Sequence, residues 1–187
     1  MTERVERLIK PMIFSAAIIF VCCFLIKKPE AYDDYTAYLG YSISGVCVLF
    51  IIYERYLWRL IPWNRPPILK KEYDGKLSYV YKKQLGQKDI DICIKQTWLS
   101  IEVTTRTDIN SSYTITGSIK CEHGIDVLYY TYMTDPQATY QAKNPIQYGT
   151  CRMILSGNNE RILGKYWTSS QTVGDMVWTV KPESRGK

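Results

Sequence analysis

Residues 89–95 read Asp89-Ile90-Asp91-Ile92-Cys93-Ile94-Lys95, with isoleucine at every second position. A period of two sends alternate side chains to opposite faces of an extended chain, so this stretch is a strand with one apolar face. The same alternation runs on both sides of it. Leu77, Tyr79 and Tyr81 alternate with Lys76, Ser78 and Val80; Leu99, Ile101 and Val103 alternate with Ser100, Glu102 and Thr104. Tyr113, Ile115, Gly117 and Ile119 alternate with Thr114, Thr116, Ser118 and Lys120. Four further strands are expected at 126–134, 148–156, 161–168 and 175–181. Turn signals separate the segments: Gly86-Gln87, Asp108-Ile109-Asn110, Glu122-His123-Gly124, Asp135-Pro136 and Gly157-Asn158-Asn159. The longest gap, 135–147, holds two prolines and is expected to form an ordered flap.

No helical period falls between these segments, so a meander is expected in place of a parallel sheet. Eight strands in up-and-down order can close into a barrel, which removes the sheet edges and leaves room for one small ligand. A two-sheet sandwich is the competing fold. Alternation also sorts the lumen. If Leu128 points inward, so do Tyr130 and Tyr132; if Lys165 points outward, Gly164, Tyr166 and Thr168 point inward, and Tyr79, Tyr113 and Trp178 can join them. A buried phenol needs a hydrogen-bond partner, so these tyrosines are either core residues with satisfied hydroxyls or the wall of a cavity that stacks flat rings.

Toward the N-terminus the pattern changes. Residues 12–26 and 35–53 contain no charged side chain. Each approaches the roughly 20 residues needed to cross a bilayer, so a transmembrane hairpin is expected. Pro11 is expected in the first turn of its helix, where a missing N–H costs little. A cleavable signal peptide fits poorly, because Ile26-Lys27-Lys28-Pro29 lacks small residues and a second apolar segment follows. Arg4, Arg7 and Lys10 precede the first segment, and Arg55, Arg59, Arg65, Lys70 and Lys71 follow the second, whereas the loop between holds only Lys27 and Lys28. That bias places both termini in the cytoplasm. Trp58, Leu60, Ile61 and Trp63, with Arg55 and Arg59, could lie along the membrane surface as an amphipathic extension. Gly40, Ser42, Ser44 and Gly45 would let another helix come close. Asn64-Arg65-Pro66-Pro67 ends the helical region and divides the chain into a hairpin, 1–65, and a β-domain, 66–187.

The formal charge of +6 is split between the two parts, 8 Lys/Arg against 6 Asp/Glu before residue 66 and 16 against 12 after it. Neither is basic enough for a DNA or RNA polymer; a small anionic ligand or an anionic membrane surface fits better. Cys93, Cys121 and Cys151 are widely spaced in the β-domain and no C-x-x-C occurs, as expected for free thiols in a reducing compartment. His123 is the single histidine, which excludes Ser-His-Asp and multi-histidine metal chemistry. A ligand-binding membrane module without enzymatic activity, metal or cofactor is therefore expected.

Two N-terminal spans followed by Gln96-Thr97-Trp98-Leu99-Ser100-Ile101, Leu128-Tyr129-Tyr130-Thr131-Tyr132, Asp135-Pro136 and Leu163-Gly164-Lys165-Tyr166-Trp167-Thr168 resemble the two-transmembrane β-barrel effector family of cyclic-oligonucleotide-based antiphage signalling systems (CBASS). The resemblance covers residues 12–181. It implies a lipocalin-like cytoplasmic barrel that binds a cyclic dinucleotide, self-association on binding, and disruption of the bacterial inner membrane by the spans, which kills the infected cell. It implies ligand contacts from Tyr130, Tyr132, Tyr166, Thr168 and Thr172, and from Trp98, although alternation puts Trp98 on the outer face. Two positions depart from the family's pattern. Gln147 stands where a histidine is common and Ser170 where an arginine is common, so the phosphate partner passes to Arg106, Arg152 or Lys165. The alternative function is a membrane-tethered, lipocalin-like carrier of an apolar small molecule, and a third is an interaction protein with a filled barrel.

Overall fold

The computed structural model describes residues 2–60, 66–81, 84–141 and 144–182. They form two compact units, one of residues 1–65 with the short segment 97–99, the other of residues 66–96 and 100–187.

In the first unit, helix α1 (Thr2–Ile26) and helix α2 (Tyr32–Arg55) pack against each other. Both contain windows long and apolar enough to cross a membrane, Ile9–Ile26 and Tyr32–Arg55. The start of α2 is fixed by Asp34, whose carboxylate accepts hydrogen bonds from the backbone N–H groups of Glu30 (2.8 Å) and Ala31 (3.1 Å). Helix α1 begins at Thr2, well before the apolar run, so Pro11 lies inside it and not in its first turn. Of the four small residues expected to admit a helix, two do so within this chain, since Ser42 is buried and a side chain at Gly45 would meet Ile19 Cδ1 at 3.1 Å, whereas Gly40 and Ser44 are exposed. Trp58 differs from expectation. After Arg55 the helix tightens into a 3₁₀ turn (Leu57–Arg59) that leaves the Trp58 ring fully buried, with the Arg59 guanidinium 5.3 Å from its centroid. Ile61 and Trp63 lie outside the described residues.

The second unit is a closed antiparallel barrel in strand order β1 to β8. The strands are β1 (Glu72–Tyr81), β2 (Gln84–Gln96), β3 (Ile101–Arg106), β4 (Asn110–Glu122), β5 (Ile125–Pro136), β6 (Tyr148–Leu155), β7 (Arg161–Thr168) and β8 (Val173–Val180). The barrel, not the sandwich, is the observed fold. The chain enters at one end, and that end is plugged. Gln96 accepts from Leu69 N (3.0 Å) and donates to Pro67 O (2.8 Å), while Asn159 donates to Ile68 O (3.2 Å) and accepts from the Tyr73 hydroxyl (3.0 Å). These bonds hold residues 67–73 across the barrel end. Above them Leu69, Tyr73, Trp178, Ile162, Met153 and Leu128 fill the lumen.

Two strands depart from simple alternation. In β4 the register slips between Thr114 and Thr116, with Ile115 the extra residue. A bulge of one residue inverts which side chains face inward. Ser112 is therefore buried and Tyr113 is 44% exposed, so Tyr113 is not a lumen residue, whereas Ile119 beyond the bulge is. In β2, Gly86 and Gln87 form part of the strand and not a turn. Gly86 stands opposite Tyr79, and its missing side chain leaves space that the Tyr79 ring takes.

Candidate functional site

The unplugged end of the barrel opens into a cavity of about 430 Å³, within the rough range of 300–1,000 Å³ for small-molecule sites. The strand ends and connections around this mouth supply its rim. Thr105 and Thr107 come from the end of β3, Asn110 to Ser112 from the start of β4, Thr134 from β5, and Ser170 and Thr172 from the β7–β8 turn. The segment between β5 and β6 adds Asn144, Pro145 and Gln147. That segment is the expected flap. It contains a 3₁₀ turn, Ala138–Tyr140, and is pinned by Gln137, whose N–H and side-chain amide donate to Ile109 O (3.1 Å) and Asp108 O (3.0 Å).

Four tyrosines stand in the cavity wall: Tyr79, Tyr130, Tyr132 and Tyr166. Each has glycine as a direct cross-strand neighbour, in the pairs Tyr79–Gly86, Tyr130–Gly117, Tyr132–Gly149 and Tyr166–Gly174. A Cβ built on Gly86 or Gly149 falls on the ring of Tyr79 or Tyr132, and one on Gly174 meets both the Tyr166 ring and the Ser78 carbonyl. The rings of Tyr79, Tyr132 and Tyr166 thus lie over their glycines along the wall, while the Tyr130 ring packs between Tyr132 and Trp178 at the floor of the cavity. This is how an eight-stranded barrel rich in tyrosine keeps an empty interior.

Burial pushes the phenols of Tyr130, Tyr132 and Tyr166 well above their ordinary value. They are neutral O–H donors across the physiological range. The Tyr130 hydroxyl is buried beside the thiol of Cys151, with which it interacts and which burial pushes up to about 12.

Around the mouth runs a chain of neutral polar groups. Ser170 Oγ donates to Gln147 Oε1 at 2.7 Å. With its single proton so placed, it accepts from the hydroxyls of Thr168 (2.9 Å) and Thr172 (3.3 Å). Gln147 Nε2 in turn donates to Asn144 Oδ1 (3.1 Å). The two positions that depart from the family's pattern, 147 and 170, are therefore in direct contact.

Of the residues singled out from sequence, Tyr130, Tyr132, Tyr166, Thr168 and Thr172 come together on this cavity. Trp98 lies at the plugged end, in the β2–β3 connection, and groups with the helical unit. Arg152 is on the outer wall, where its guanidinium donates to Tyr129 Oη (2.8 Å) and pairs with Glu122 (3.1 Å). Hydrogen bonds from Tyr129 and Arg152 hold the Glu122 carboxyl below its ordinary value. Arg106 lines a charged trough outside the barrel, with Lys76, Asp89, Asp91 and Asp108. Lys165 stands opposite Asp175 and Arg152 and does not line the cavity. Among the described residues the cation that does is Lys88, near the start of β2. It was legible in the sequence, because it shares the parity of Ile90, Ile92 and Ile94, all buried in the lumen.

Among known proteins, the family described as "Cap15, cyclic dinucleotide receptor domain" matches residues 65–180. A curated protein of Staphylococcus schleiferi, "CD-NTase-associated protein 15", is 34% identical over 179 residues, which span 94% of this chain and 97% of that protein. The matched receptor domain coincides with the barrel, and the relative extends over the helices as well.

Proposed function

Because the chain belongs to the Cap15 cyclic-dinucleotide-receptor family, we propose that its barrel cavity takes up a cyclic dinucleotide through the open mouth and that this regulatory ligand, with no enzymatic turnover, switches the protein on. The observation that carries the reading is the lumen itself. Four tyrosines line a cavity ringed by hydroxyls and amides and without one carboxylate among its described lining residues. Flat rings on the wall suit nucleobases, since stacking of a base on an aromatic side chain is worth about 1–3 kcal/mol. The polar rim suits the ribose and phosphates. A filled barrel does not fit this cavity, and a rim of hydroxyls and amides suits a polar ligand better than an apolar one.

In this reading the two apolar helices carry the output. They cross the bacterial inner membrane with both termini in the cytoplasm, and ligand-driven self-association of the chain disrupts the bilayer, ending the infection with the cell. No DNA or RNA polymer takes part. The test is a thermal-shift series on the full-length protein in detergent micelles against purine and pyrimidine cyclic dinucleotides. At least one is expected to raise the melting temperature of the barrel in proportion to the logarithm of its concentration. A flat response to the whole series would contradict the proposal.

A further inference from the structure

Strand β2 sorts its charges by face. Asp89 and Asp91 project to the outer wall, where Asp91 is held by Lys181 at 3.1 Å. Lys88 has the opposite parity. It stands across from Leu77 in the ladder with β1, in line with Ile90 and Ile92, and reaches the rim of the cavity. It is the one ionisable cation among the described residues of the lining, and no carboxylate lines the cavity beside it. Among the described residues it makes no ion pair, while the outer-wall cations Arg152 and Lys181 are both engaged with carboxylates.

Resting on the ligand reading above, we propose that Lys88 is a counter-charge of the site and neutralises one phosphate of the ligand. A cyclic dinucleotide brings two negative charges, and Lys88 is the one positive charge among the described residues of the lining. A hydrogen bond to a charged partner is about twice as strong as a neutral one. Lys88 is solvent-exposed at the rim of the cavity, where a phosphate can reach it.

The experiment compares the full-length protein with K88Q, K88R and the outer-wall control K76Q, each in detergent micelles, titrated by calorimetry with cyclic di-AMP, cyclic di-GMP and cyclic GMP–AMP at low and high salt. For the nucleotide that binds the native protein, K88Q is expected to weaken affinity about tenfold or more and to flatten its salt dependence. K88R and K76Q are expected to keep both. Native-like affinity and salt dependence in K88Q, or equal loss in K88R and K88Q, would overturn the assignment of Lys88 and leave the ligand reading standing. A native protein that binds none of the three overturns both.

Discussion

Removing the rings of Tyr132 and Tyr166 together is expected to weaken cyclic dinucleotide binding by about 30-fold at the least. Each ring lies along the cavity wall over a cross-strand glycine and offers a flat face to the lumen. At about 1–3 kcal/mol per stacked base, losing two platforms costs roughly 2–6 kcal/mol of binding, a factor of about 30 to more than 10,000. Both side chains belong to the buried core cluster, so the double alanine variant is also expected to lose stability, and circular dichroism checks that it is folded before its affinity is read. Tyr132→Phe with Tyr166→Phe keeps the rings and is expected to keep most of the affinity. Gly149→Ala approaches the same site from the other side: its methyl group takes the place of the Tyr132 ring, drives the ring into the lumen and lowers affinity without removing any ligand contact. Calorimetric titration of the three variants checks this. Unchanged affinity in the double alanine variant would remove both tyrosines from the site.

Trp178→Ala is expected to destabilise the barrel by about 3–5 kcal/mol, the usual cost of truncating a buried aromatic residue. Trp178 is fully buried above the plug, with the rings of Tyr73 and Tyr130 at 6.0 and 6.1 Å from its own. In the ladders it lies between Gly75 of β1 and Ile162 of β7, so the void would open at the seam where β8 closes the barrel onto β1. Its indole N–H has no partner, so truncation strands no polar group; the loss is one of packing. Because it supports Tyr130 from below, the variant is also expected to bind nucleotide less well. Thermal unfolding followed by near-ultraviolet circular dichroism measures the first effect. A loss below about 1 kcal/mol would show that the plug, and not Trp178, holds the seam.

Most of this architecture is legible in the alternation of side chains, because one face of every strand looks into a single lumen. Leu128, Tyr130 and Tyr132, and likewise Gly164, Tyr166 and Thr168, fall inward as their spacing requires. Tyr113 does not, because the bulge at Ile115 is a backbone event without a residue signature of its own. Gly86 reads as a turn by composition, yet its role is to vacate space for a ring on the neighbouring strand, and that partner is fixed only by register. The cations show the same lesson. Arg106 and Arg152 each follow an inward residue, Thr105 and Cys151, and parity alone places them outside. Lys88 lies at the right parity but near a strand end, where a solvated lysine and a ligand contact look alike in sequence. The contact between Gln147 and Ser170 joins residues 23 apart and becomes visible only when β6 and β7 are paired.

The central claim is that the cavity of the barrel is where the nucleotide sits. It is tested most directly by photo-crosslinking the full-length protein with an azidoadenine cyclic dinucleotide and mapping the modified peptides by mass spectrometry. The account predicts labelling of residues of the lumen and its rim, among them Tyr130, Tyr132, Tyr166 and Thr172, suppressed by excess unlabelled ligand. Competable labelling confined to the outer wall around Tyr129 and Arg152, or to the two helices, would contradict it.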